Sequence, residues 1–288
     1  MKYRQETKMK TWIRKTSRGK IFVSLQTNVQ NIHRIVAVDI QVVSNFLCDY
    51  VVTLISCGSH TSRVVRNAHR LSEALGYDVQ MTIFQQHITI HVVASDDETA
   101  RRTTVRKIPH GAFNFEKISR LSSLSWSAID EKLSFGEVNA RYNEIVHKLR
   151  IPPWVVLCLV PCANAAFCRL FSGDIVAMGL VFLATFFGFS LRMFLTKIKA
   201  HSLVMYVLVA FLASFVAGLG AYFNIGTTQS TGIATSVLFL IPGVQMINAI
   251  LDVLEGYILM GLSRVVTSLL AVIGIAIGMV CTFYVLGI

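Results

Sequence analysis

The second half of the chain contains five long runs of apolar residues. Each run approaches the roughly 20 apolar residues that an α-helix needs to cross a bilayer. The runs cover residues 154–171, 175–195, 202–223, 232–251 and 265–286. A large soluble core of buried helices is the alternative, but five adjacent runs of this length are rare in soluble folds. The pattern therefore predicts five membrane-spanning helices.

The first half has the mixed pattern of a small folded domain. Helical spacing of apolar positions predicts helices at 39–57, 61–75, 115–129 and 135–149. Runs rich in β-branched residues predict strands at 79–84, 87–93 and 102–108, the first two forming a hairpin. The expected fold is a membrane protein, with a five-helix transmembrane bundle preceded by a small α+β cytoplasmic domain.

The charges divide the chain at the same place. Residues 1–150 hold 35 of the 43 charged residues, with 22 Lys/Arg against 13 Asp/Glu. The composition changes near Pro152-Pro153. We therefore expect a basic N-terminal tail without fixed structure at 1–38, the α+β domain at 39–151 and the five spans at 152–288. Attachment of the tail to anionic lipid is an alternative.

The loops between the spans predict the orientation. Arg192, Lys197 and Lys199 lie between spans two and three, and Arg264 lies between spans four and five. Because Lys and Arg accumulate on the cytoplasmic side, the N-terminus is expected in the cytoplasm and Ile288 outside. The same rule explains the basic first half without nucleic acid, which we do not expect as a partner.

The fourth apolar run carries the strongest candidate chemistry. Pro242 and Gly243 lie in its middle, where a proline opens the helix and frees a backbone carbonyl group. Lipid does not satisfy such a group, so the break must face protein, water or a ligand. Gln245, Asn248 and Asp252 then follow on one helical face. This polar face predicts a pathway for a substrate or an ion.

Two interpretations of Asp252 remain open at this point. A carboxylate near a span end that faces the bundle can load and unload a proton or an ion. Alternatively, Asp252 and Glu255 lie at the water interface, paired with Arg264. For Glu255 the interface is the preferred interpretation.

Span one provides secondary candidates. Asn164 lies one turn after Pro161, and Arg169 lies near Asp174 at the outer end of the span. Arg169 could attract an anionic substrate, but a long side chain that reaches the outer interface is the preferred interpretation. Together with Arg264, these residues complete the set of candidates.

The sequence gives no support for catalysis or for a cofactor. His87 and His91 share a strand face, but no third metal ligand accompanies them. The six cysteines form no C-x-x-C motif, and no P-loop, G-x-S-x-G or H-E-x-x-H is present. We therefore expect no enzyme activity, no cofactor and no bound metal.

Several motifs resemble the threonine/serine exporter family, which includes ThrE and YjjP-like proteins. The motif L-x-P-G-x-x-x-x-N-A-x-x-D is formed by Leu240, Pro242, Gly243, Asn248, Ala249 and Asp252. Weaker similarities lie in Cys57-Gly58 with Thr61 and Arg63, and in Phe171 to Asp174. Val65 departs from the family, many members of which have Glu there.

The resemblance implies a function. It indicates proton-coupled export of threonine and serine across a bacterial inner membrane or, in the YjjP-like branch, export of dicarboxylates such as succinate. Short members of the family work with a separate, smaller five-span subunit of the YjjB type, so such a partner is expected here, and a homo-oligomer is a further option. A membrane-anchored cytoplasmic binding or signalling domain is the competing class, although an anchor needs only one or two spans.

Overall fold

The computed structural model describes residues 39–109, 111–148 and 151–288. The basic tail expected at 1–38 therefore lies outside the described residues. Within the described ranges, the elements before Pro152 are α1 (Ile40–Ser56), α2 (Thr61–Ala74), β1 (Tyr77–Ile83), β2 (His87–Ala94), β3 (Arg101–Lys107), α3 (Phe115–Asp130) and α4 (Phe135–His147). Every helix and strand expected in this part of the sequence is present, with ends shifted by at most a few residues.

The three strands form an antiparallel sheet with β2 in the middle. Ile90 of β2 lies opposite Met81 of β1 and Thr104 of β3. Alternate residues of β2, among them Ile88 and Ile90, are buried on the face that α1 covers, while α2 packs on β1. This alternation is the pattern of a sheet with one covered face. The core under the sheet is made of residues from Val43 to Tyr142, so the N-terminal region has its own core.

The C-terminal region is helical throughout. Its elements are α5 (Pro153–Leu170), α6 (Ile175–Lys197), α7 (Ser202–Tyr222), α8 (Gln229–Ser236), a 3₁₀ turn (Leu238–Leu240), α9 (Gly243–Leu254) and α10 (Ile258–Leu286). Four of these helices are long and apolar enough to cross a membrane, and α8 with α9 makes a fifth if the bent pair is one span. Large apolar side chains such as Leu159 and Tyr284 are exposed on the outer surface of the helices. This surface suits a multi-pass membrane protein.

Helices α7 and α10 pack closely along their length. A Cβ atom added at Gly278 would lie 2.5 Å from the carbonyl oxygen of Val207, so only glycine allows this approach. Ser214 and Thr282 share a hydrogen bond of 2.6 Å between their hydroxyl groups inside the same interface. Small residues at helix crossings let backbones approach in this way. Gly278, Ser214 and Thr282 therefore act in helix packing.

The fourth apolar run is broken. Helix α8 ends at Ser236, a short 3₁₀ turn follows, and α9 begins at Gly243 with Pro242 as its N-cap. The axes on the two sides of the break differ by 58°. Proline has no backbone N–H and cannot donate the hydrogen bond of a continuous helix, which accounts for a break at this position.

The last helix is longer than the apolar run predicts. It begins at Ile258 rather than at residue 265, so Arg264 lies inside the helix and not in a loop. A charge interrupts an apolar run in the sequence, but Arg264 is only 8% exposed and pairs with Asp252. The pairing explains why the helix continues through a charged residue.

Candidate functional site

The residues of the fourth run lie where the broken helix meets the N-terminal region. Because α9 bends away from α8, it packs chiefly on α10 and against the loop between α1 and α2. Gly261 allows the two helices to approach, since a Cβ atom there would lie 2.8 Å from the carbonyl oxygen of Ala249. We call the contact between this loop, α9 and α10 the junction.

Asp252 is the centre of the junction. Its side chain is 0% exposed, and its Oδ1 accepts a hydrogen bond of 2.7 Å from the backbone N–H of Thr61. Its Oδ2 lies 3.0 Å from NH1 of Arg264. Thr61 is the first residue of α2, so the carboxylate also lies at the positive end of that helix. A buried carboxylate requires partners of this kind.

Two further hydrogen bonds join the same loop to the two helices. Arg264 NH2 donates to the carbonyl oxygen of Ser59 at 2.9 Å, and the amide of Asn248 donates to that of Gly58 at 2.8 Å. Gly58 has a φ of +89°, a conformation that favours glycine. The loop therefore presents three backbone groups, from Gly58, Ser59 and Thr61, to side chains of α9 and α10.

Contacts around the edge extend the junction. Gln85, in the turn between β1 and β2, shares hydrogen bonds with Ser263 and with Thr267 of α10. Arg66 of α2 forms an ion pair of 3.5 Å with Glu255, and both side chains are partly exposed. An exposed pair of this kind contributes little to stability, whereas the buried pair at Asp252 has a large effect when one partner is removed.

A partly open cavity of about 200 Å³ lies beside the buried pair. Its polar walls come from Ser56, Gln85, Gln245, Asn248 and Arg264, and its apolar walls include Phe113 and Met260. Two of the three residues expected on the polar face of span four, Gln245 and Asn248, therefore line one cavity. Asp252 is not part of the lining, but it pairs with Arg264, which is.

The other sequence candidates lie elsewhere. Asn164 is buried among the helices, where its amide donates to Thr185 at 2.6 Å and to the carbonyl oxygen of Thr235 at 3.1 Å. Arg169 donates to the carbonyl oxygen of Gly173. Asp174 lies beside the start of α8, at the opposite end of the bent pair α8–α9 from Asp252. These three residues do not contact the junction.

Asp174 holds two loops together at that opposite end. Its carboxylate caps α6 through the N–H of Ala177 and accepts from the N–H of Thr227, at 2.7 Å in each case. These backbone donors, that of Thr227 first, lower the pKa of Asp174 to about 2. The geometry is that of a structural cap that fixes the loop before α8.

The interaction partners in the N-terminal region were missed by the sequence analysis. Gly58 and Ser59 contribute carbonyl oxygens and Thr61 an amide, and no spacing rule connects them to residues some 190 to 205 positions later. The only signal was that Gly58 and Thr61 belong to a segment that carries the family resemblance. The pairing of Asp252 with Arg264 was one of two interpretations, but it was expected in water rather than buried.

The junction should respond to pH through His60. Burial, followed by the charge of Arg63, lowers the pKa of His60 below its usual value of 6.5. The folded state then binds fewer protons than the unfolded state, so stability is lost as the pH falls through 6.5 toward the folded pKa. We expect the unfolding temperature to fall between about pH 7.5 and pH 5.5, and to fall less in His60→Asn. Thermal unfolding of both proteins in detergent measures this, and equal pH profiles would contradict it.

Comparisons with known proteins cover both sides of the junction. The family model described as "Putative threonine/serine exporter" matches residues 46–286. A protein of Klebsiella aerogenes named "Probable succinate transporter subunit YjjP" is 27% identical over 228 residues, which cover 79% of this chain and 87% of that protein. The protein of the same name from Escherichia coli K12 is 26% identical over 236 residues, covering 82% of this chain and 91% of that protein. No solved structure matches the chain at a significant level.

Proposed function

Because the chain belongs to the threonine/serine exporter family, we propose that it is one subunit of a proton-coupled secondary exporter of small carboxylate-bearing metabolites, of the threonine/serine type. The observation that carries the proposal is the broken fourth span, with a buried carboxylate two and a half turns beyond the break. Broken helices with polar groups at the break form binding sites in transporters. A plain membrane anchor has no need of such a break or of four or five spans.

A dicarboxylate such as succinate is the second candidate substrate. The names of the two relatives favour it, since both are described as probable succinate transporter subunits. The same names support a separate partner subunit, which we propose to be a smaller five-span protein of the YjjB type. Threonine, serine and succinate share a carboxylate, so one site chemistry serves both candidates.

The proposed arrangement in the membrane follows the loop charges. Residues 39–151 would form a cytoplasmic domain and residues 152–288 a five-span bundle in a bacterial inner membrane, with the C-terminus outside. The junction would then lie at the cytoplasmic end of span four. Pro242, Gly243, Gln245, Asn248 and Asp252 would form the pathway, and Asp252 would carry the coupled proton.

Transport by reconstituted protein tests the proposal. Liposomes containing this chain and its candidate partner should exchange labelled succinate or threonine, and a pH gradient should drive net flux. Asp252→Asn should lower gradient-driven flux at least about tenfold, because an amide does not take up and release a proton as a carboxylate does. Glu255→Gln is the matched control, since Glu255 lies three residues later, as the C-cap of the same helix, and pairs with exposed Arg66.

The outcomes separate the parts of the proposal. Gradient-driven flux that is unchanged in Asp252→Asn would remove the proton-carrying role from Asp252. Exchange of neither labelled compound by the wild-type pair, at any pH, would contradict the transport function.

A further inference from the structure

The cavity beside the buried pair has the composition of a site for a small anion. Among the described residues of its lining, Arg264 is the one that carries a charge. Ser56, Gln245 and Asn248 contribute polar residues to the same lining. Ile108 and Phe113 supply an apolar wall suited to a short carbon chain. Since drug-sized ligands occupy roughly 300–1,000 Å³, a cavity of about 200 Å³ suits a smaller metabolite.

Arg264 holds its present partner in a geometry that leaves hydrogen-bonding capacity unused. NH1 of Arg264 lies 3.0 Å from Oδ2 of Asp252, but the approach does not have the angle of a hydrogen bond, so both buried atoms lack one. NH2 is fixed separately by the carbonyl oxygen of Ser59. A guanidinium group prefers two parallel bonds to a carboxylate, and this pair does not supply them.

Two other groups prepare the cavity for an exchange of partners. The hydroxyl of Ser56 is a buried polar atom without a hydrogen-bond partner in the described structure. Asp252 keeps a hydrogen bond from the backbone N–H of Thr61 through Oδ1, independent of Arg264. The carboxylate of Asp252 is therefore held in place if Arg264 turns toward the cavity.

We propose that this cavity binds a carboxylate group of the transported metabolite, which displaces Asp252 from Arg264 and accepts a hydrogen bond from Ser56. The inference rests on the proposed transport function and adds the binding site to it. Asp252 acts here as an internal competitor of the substrate. The affinity of the wild-type protein is reduced by the fraction of molecules in which Arg264 is paired with Asp252.

The competition predicts an effect that a merely structural pair does not produce. In Asp252→Asn the competing charge is absent, so Arg264 is free to pair with the substrate carboxylate. Binding of labelled succinate and of labelled threonine should each be measured. We expect the dissociation constant of the bound compound to fall at least about tenfold relative to wild type. Equilibrium binding to the purified chain with its partner in detergent measures this, without any need for transport.

A second pair of variants tests the cavity itself. Ser56→Asp places a carboxylate in the lining, where it should pair with Arg264. Binding should then be about tenfold weaker than in Ser56→Asn, whose new side chain has the same shape as aspartate but no charge. Arg66→Gln removes a nearby positive charge outside the cavity and should leave the dissociation constant unchanged. Thermal unfolding of each variant shows whether the fold is retained.

The results that overturn the inference differ from those that overturn the transport function. Weaker or equal binding in folded Asp252→Asn, or equal binding in Ser56→Asp and Ser56→Asn, contradicts the site. Absence of binding of both labelled compounds to every variant also contradicts it. If binding follows the expected order while liposomes show no flux, the site stands and the transport function fails.

Discussion

Replacing Arg264 with methionine should lower the free energy of unfolding by about 3–5 kcal/mol, because Asp252 is then a buried charge with one backbone donor. The carboxylate is 0% exposed, so water does not replace the lost guanidinium group. The loss also removes the hydrogen bond to Ser59 that joins α10 to the N-terminal region. Chemical or thermal unfolding in detergent measures the change.

A double variant separates the buried charge from the lost packing. Asp252→Asn together with Arg264→Met removes both charges, and should recover most of the stability lost in Arg264→Met. Arg66→Met is the exposed control, for which we expect less than about 1 kcal/mol. A double variant as unstable as Arg264→Met would show that the pair contributes through shape rather than charge. Wild-type stability in Arg264→Met would contradict the burial of the pair.

Local patterns predicted most of the elements because their periods are short. Helical spacing in residues 40–56 and alternation in β2 are read within a few residues, and the structure has both. Pro242 predicted the break because its missing amide acts within one helical turn. Such features depend on neighbouring residues, which a sequence displays directly.

Features that depend on distant contacts were not predicted. The burial of Asp252 arises from Thr61, 191 positions earlier, and from a 58° bend whose direction no local rule gives. Arg264 was assigned to a loop because a charge ended the apolar run, although its helix continues. Asn164 was a candidate for the pathway, but its two partners lie on α6 and α8. Tertiary packing decides each of these positions.

The bend at Pro242 brings α9 to the junction, so removing the proline should disable transport while leaving the chain folded. Pro242→Ala restores an amide that can bond to the carbonyl of Leu238, and a continuous helix gains about 3 kcal/mol or more from that change. A straightened span four would carry Asn248 and Asp252 away from Gly58 and Thr61. We expect the exchange of labelled substrate in liposomes to fall at least about tenfold.

Two further variants make the result specific to the break. Pro242→Gly also restores the amide, but glycine disfavours the helix by about 1 kcal/mol relative to alanine, so it should retain more exchange than Pro242→Ala. Pro161→Ala is the matched control, because Pro161 lies inside the continuous helix α5 and should tolerate the change with exchange near wild type. Equal exchange in Pro242→Ala and wild type would contradict a role for the bend. A role of the bend predicts that exchange falls in Pro242→Ala and not in Pro161→Ala. An equal fall in both variants would assign the effect to the loss of any proline and would contradict that role.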